Sequence, residues 1–103
     1  MESQLRELVK DYLLGLKMQN NAKSTILNHS HFLSKFIHFI EANNLDFTKV
    51  TPQQIRLFRN NNIEEGLKPK TVNNTVSAVK RFYDFVIEEG EITGNPVYRP
   101  AFE

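Results

Sequence analysis

With 103 residues the chain is long enough to bury one hydrophobic core and too short for two. It has no cysteine, which excludes a disulfide framework and a thiolate metal site, and no apolar run near the roughly 18–20 residues of a membrane span; it reads as a soluble, cytoplasmic protein. Thirteen Lys and Arg against twelve Asp and Glu leave a net charge of +1, which offers little non-specific attraction to a polyanion, so any such partner must be met by how the charges are distributed.

Leu5, Leu8, Val9, Tyr12 and Leu16 recur at the three-and-four spacing of an amphipathic helix, predicting a first helix over roughly residues 3–19. The polar run Gln19, Asn20, Asn21 breaks it. Ile26, His29, Leu33, Phe36, Ile37 and Ile40 then form a stripe for a second helix over roughly 23–43, with His29 as a partly buried member. Phe32 and Phe39 fall off that stripe, as Leu14 and Met18 do on the first helix.

The third helix is announced by "VTPQQI". Thr51 is a natural N-cap, Pro52 suits the first helical position, Gln54 completes a capping box, and Val50 can staple onto Ile55. Its short pattern, Ile55, Phe58 and either Asn62 or Ile63, ends at about residue 65, just before Gly66. A fourth helix opens at Pro69, buries Val72, Val76, Val79, Tyr83 and Val86, and stops at Gly90, about residues 69–89. Gly94, Pro96 and Pro100 make further helix improbable. No segment has strand periodicity. The expectation is an all-α, compact bundle of four helices over residues 1–93, followed by a linker or tail over 94–103.

Two stretches, residues 20–40 and 66–81, hold no acid, whereas residues 82–103 carry Asp84, Glu88, Glu89, Glu91 and Glu103 against Arg99 alone. On the fourth helix Lys70, Asn74, Ser77 and Arg81 fall within about 60° of one another, opposite the valines, with Asn73 and Lys80 flanking them. The matching outward row of the second helix is Ser24, Asn28, His31, Lys35 and His38. A solvated face would account for polarity alone, but such faces usually mix signs in Glu–Lys pairs. Cations interleaved with Asn, Ser and Thr instead supply donors suited to phosphates and base edges. His31 and His38 share a face without a third ligand nearby in the sequence, so no metal site, cofactor or acid–base pair is expected.

The segments "KSTILNHSHFLSKFIHFI", "LDFTKVTPQQIRLF" and "GLKPKTVNNTVSAVKRFYDFVIEEGEITGNPV" resemble the N-terminal core-binding, SAM-like domain of phage-integrase-type tyrosine recombinases. The marks are Thr25, Leu33, Phe36 and Phe39, then Gly66, Thr71, Val72, Asn73, Ser77, Phe82, Tyr83, Phe85, Gly90, Ile92, Asn95 and Pro96. Their order, ending in the Asn95–Pro96 pair, is more specific than any one of them. The family often has Tyr where His29 stands and Ser where Lys68 stands.

The resemblance implies that the second and fourth helices face the major groove of double-stranded DNA as one half of a clamp. Carried over residue by residue, the DNA-facing set is Lys23, Ser24, Thr25, Asn28, His31 and Lys35 with Lys68, Lys70, Thr71, Asn74, Ser77 and Arg81. It implies neighbouring recombinase protomers as further partners, with no membrane and no small-molecule substrate. The family's tyrosine nucleophile belongs to a C-terminal catalytic domain. Tyr12 and Tyr83 fall on core stripes here and Tyr98 in the tail, so this segment is expected to bind DNA without cutting it. The alternative is a helical protein-interaction domain using Leu14, Met18, Phe32 and Phe39.

Overall fold

The computed structural model describes residues 2–90, 92 and 95–97, with side chains from Gln4 onward. Four helices follow one another: α1, Glu2–Met18; α2, Lys23–Ala42; α3, Pro52–Glu64; and α4, Pro69–Glu88. Each lies within one residue of the expected limits, and no strand occurs among the described residues.

The connections are held by short polar side chains. Asn20 takes a left-handed φ of 64° after α1, and the Asn21 amide donates to the Leu16 carbonyl at 2.8 Å, satisfying one of the orphan acceptors at the helix end. Asn43 repeats the device on the Phe39 carbonyl at 2.8 Å, before Asn44 at φ 52°. A single 3-10 turn, Phe47–Lys49, then intervenes; too short for periodicity to reveal, it was not foreseen. Asp46 caps it, its Oδ1 accepting from the Thr48 hydroxyl at 2.6 Å and from the Thr48 amide at 3.0 Å. The hydroxyl bond is the main reason the Asp46 carboxyl titrates below its usual range.

The start of α3 is the expected capping box. The Gln54 amide donates to Thr51 Oγ1 at 3.2 Å, and the Thr51 amide donates to Gln54 Oε1 at 3.0 Å. Gly66 at φ 90° and Gly90 at φ 79° end α3 and α4 in the left-handed conformation that glycine adopts without steric penalty.

Helix α4 is the centre of the bundle and packs against α1, α2 and α3. Its buried arc is therefore wider than one stripe: besides the five expected residues it hides Thr75, Ala78 and Phe82. Thr75 enters this surface because its hydroxyl donates back to the Thr71 carbonyl at 2.8 Å, leaving nothing unsatisfied. Tyr12 of α1 stacks edge-on against Phe82 and Phe85 at 6.0 and 5.7 Å, while Phe36 of α2 meets Tyr83 at 5.8 Å and Phe58 of α3 at 5.4 Å. Each fully buried Phe contributes about 1.5–3 kcal/mol. Tyr83 itself is fully buried and donates its hydroxyl to the Phe47 carbonyl at 2.6 Å, tying α4 to the 3-10 turn. Burial, reinforced by the Asp46 charge, pushes that phenol far above its ordinary titration range.

One expectation about apolar surface is corrected. Phe39, off the main stripe of α2, is 5 % exposed because α3 covers that flank and brings Phe58 to 5.3 Å. Phe32 is half-buried beside His29 at 6.3 Å. On α3 it is Asn62 that turns inward, 2 % exposed, while Ile63 faces out at 47 %. The Asn62 side-chain nitrogen has no hydrogen-bond partner among the described residues.

Beyond α4, Pro96 and Val97 are buried and Ile92 packs against the core; Glu91, Thr93, Gly94 and residues 98–103 lie outside the described residues.

Candidate nucleic-acid interface

The outward rows are built by the same spacing that builds the core. Because the inner arc of α4 is filled by valines and aromatics, Lys70, Asn74, Ser77 and Arg81 emerge on its far side, and all four are exposed. Lys68, Asn73 and Lys80 are exposed beside them, and Thr71 is half-buried. On α2, Lys23, Ser24, Asn28, His31 and His38 are exposed, whereas Thr25 and Lys35 are half-buried.

Both helices begin without a side-chain cap. Ala22 has no capping atom, and Lys68 at the N-cap of α4 provides no hydrogen bond. The amides of the first turn are those of Lys23, Ser24 and Thr25 in α2 and, after Pro69, those of Lys70 and Thr71 in α4. Neither first turn contains an acid. A lysine thus accompanies a set of backbone donors at the positive end of each helix dipole, an arrangement that favours an anion.

Among the described residues, the Lys23, Lys35, Lys68, Lys70 and Arg81 cations form no ion pair, whereas Arg6, Lys10 and Lys80 pair with Glu41, Glu7 and Asp84. Lys17, Lys49, Arg56 and Arg59 are equally free, so this freedom permits phosphate contact without marking its place.

The two helices pack on one another, and charge communicates across the seam. His29 of α2 shares a hydrogen bond with the Tyr12 hydroxyl through Nδ1 at 3.1 Å. Burial lowers the His29 pKa, and the Arg81 charge lowers it further; the same Arg81 opposes the burial-driven rise of the Tyr12 phenol. A neutral His29 that accepts from Tyr12 on Nδ1 keeps its own proton on Nε2.

The second half of the α2 row has a different neighbour. His31, Lys35 and His38 line one side of an open groove of about 640 Å³, and the end of α3 lines the other with Asn61, Asn62, Glu64 and Glu65. Those two acids were not part of the sequence-based site, because nothing in the spacing of α3 shows which neighbour its last turn meets. Among the described residues no group of three His, Cys, Asp or Glu is placed to hold a metal ion. Of the four candidates for a protein-binding surface, Leu14 and Met18 are exposed at 55 % and 75 %, Phe32 is half-buried, and Phe39 is taken up by the core.

No helix among the described residues is long and apolar enough to cross a membrane. Four helices gathered around a central α4, with no strand among the described residues, form an all-helical domain consistent with the SAM-like type. The profile described as phage integrase, N-terminal SAM-like domain, matches residues 9–90, and the chain belongs to that family. The chain is similar to tyrosine recombinase XerC of Bacillus pumilus (strain SAFR-032), 28 % identical over 88 % of this chain and 30 % of the relative. Tyrosine recombinase XerC of Haemophilus influenzae (strain ATCC 51907 / DSM 11121 / KW20 / Rd) is 33 % identical over 70 % of this chain and 25 % of its own length. For XerC of Bacillus subtilis (strain 168) the values are 28 %, 89 % and 31 %. The chain thus spans between a quarter and a third of these relatives. No solved structure matches.

Proposed function

We propose that this domain binds double-stranded DNA as the core-binding half of a tyrosine recombinase, in the cytoplasm, with α2 and α4 against the major groove. The observation that carries the reading is the pair of uncapped, lysine-flanked helix starts on two helices packed together, each continued by an exposed acid-free row. Backbone amides and Lys23, Lys68 and Lys70 engage phosphates and set the register. Asn28, Asn74 and Arg81, farther along the rows, are the side chains with the chemistry to read adenine and guanine edges. Membership of the family and the similarity to XerC proteins support site-specific recombination as the larger process. Catalysis then falls to residues other than these: Tyr12 and Tyr83 are committed to packing and to hydrogen bonds with His29 and Phe47, which leaves neither phenol free as a nucleophile.

The test is titration of the domain with a fluorescent duplex at several salt concentrations. Phosphate neutralisation requires the logarithm of affinity to fall with the logarithm of salt by about 0.9 per contact, whereas an apolar association is insensitive. Lys70→Glu combined with Arg81→Glu is expected to weaken binding by about a hundredfold or more, through lost contacts and like-charge repulsion, at unchanged helical content. Parent affinity in a folded double variant removes both residues from the interface.

A further inference from the structure

The tie between the outer row of α4 and the chain that leaves it rests on one carboxylate. Asp84 accepts from Lys80 Nζ on Oδ2 at 3.2 Å and from the Asn95 amide on Oδ1 at 2.8 Å. The same Asn95 nitrogen donates to the Lys80 carbonyl at 3.1 Å, and Asn95 Oδ1 accepts from the Val97 amide at 2.8 Å. Asn95 therefore spends its side chain on three partners, two on α4 and one on its own segment. Immediately after it, Pro96 is buried and Val97, at 3 % exposure, joins the core. The left-handed Gly90 turns the chain at the end of α4, and residues 95–97 come back beside the turn that carries Lys80 and Asp84.

Lys80 flanks the row that includes Ser77 and Arg81, and through Asp84 its ammonium is connected to the returning segment. Its ion pair with Asp84 is half-exposed, at 51 % and 52 %, and such a pair is easily exchanged for another anion. An acceptor that serves two donors is weaker toward each than one that serves a single donor, because a neutralised carboxylate attracts a dipole less.

We propose that Asn95 is a positioning residue that holds the exit segment on α4 through Asp84, and that Asp84 divides its charge between this segment and Lys80, so that an anion drawing Lys80 away tightens the hold. In the setting of the proposed function, on which this part rests, the anion is a DNA phosphate. Occupation of the helical face then steadies residues 95–97 against α4.

Amide hydrogen exchange at Val97 reads the hold directly, with the Val79 amide, at the middle of α4, as the internal reference. Without DNA, Asn95→Ala, which removes three hydrogen bonds, is expected to speed exchange at Val97 by about tenfold or more, and Asp84→Ala, which removes the one to the Asn95 amide, by about threefold, while Val79 is unchanged. Lys80→Met, which keeps the aliphatic stem and removes the charge, is expected to slow it by about two- to fivefold. A saturating 20-base-pair duplex should slow Val97 in the parent by a similar factor and leave the Lys80→Met protein unaffected. Faster or unaltered exchange in Lys80→Met overturns the shared-charge proposal, and so does parental exchange in Asp84→Ala. If the duplex fails to bind at all, the DNA reading falls while the three variants still decide the tie.

Discussion

The start of α3 and the starts of α2 and α4 solve the same problem in opposite ways. Every helix begins with amides that its own turns cannot satisfy. Helix α3 closes the account internally, with Thr51 and Gln54 bonding each other's backbone and Val50, just before the cap, buried in the same core as Ile55. Helices α2 and α4 leave theirs to the outside, behind Ala22 and Lys68. A cap of the α3 kind contributes about 0.5–2 kcal/mol of stability, so its omission at two of three described helix starts costs the fold something that packing must cover. The contrast separates a helix end serving the fold from helix ends available to a ligand.

The strongest way to break this contrast is to cap the open ends. Ala22→Asp together with Lys68→Asp supplies each first turn with an acceptor and a negative charge. Thermal stability is expected to rise by about 1–2 kcal/mol while duplex affinity falls by about thirtyfold or more. Melting and binding measured on one preparation decide it, since unchanged affinity would show that these amides meet no phosphate. The reciprocal change, Thr51→Ala, should cost about 1 kcal/mol in urea denaturation and leave duplex affinity where it was. Loss of binding in that variant would mean that α3 also touches DNA.

A smaller effect distinguishes the surroundings of His29, between α1 and α2, by their pH response. The His29 pKa lies below its usual 6.5, so the folded state favours the neutral ring. Its contribution is fully present above 6.5 and is lost as pH falls below that value and through the lowered one, because the unfolded chain takes up the proton first. His29→Gln is expected to flatten the decline in urea midpoint between about pH 6.5 and 5, while the separate loss at lower pH persists. That second loss belongs to Asp46, whose carboxyl is held below its usual 3.8 and whose contribution also disappears as pH falls. An unaltered midpoint profile in His29→Gln would show that the Tyr12–His29 contact does not distinguish the two protonation states.

The four helices were legible because their signals are local: three-and-four spacing, the Thr51–Gln54 box, Pro69 and the two left-handed glycines. The inner face of α4 was legible only in part. Valine spacing identifies one stripe, but Thr75, Ala78 and Phe82 are buried because three neighbours surround this helix, and the number of neighbours is not written in its own residues. Phe39 was misjudged for the same reason, since its burial depends on where α3 lies. The outward rows could be read as the complement of the core, and their members are exposed apart from the half-buried Lys35. Their surroundings could not. That the Arg81 charge is felt at His29, and that Glu64 and Glu65 line the same groove as Lys35, follows from interhelical packing rather than from any one helix. The docking of Val97 was equally hidden, because proline- and glycine-rich composition describes a loop without saying where it rests.

The wedging of α4 among three helices has a mechanical corollary. A rod gripped on three sides cannot roll about its own axis without dislodging Tyr83, Phe82 and Val79 from their sockets. Its outer side chains are consequently held at fixed spacing like teeth on a stationary rack, and adjustment to a bound surface is left to the rotamers of lysine and arginine.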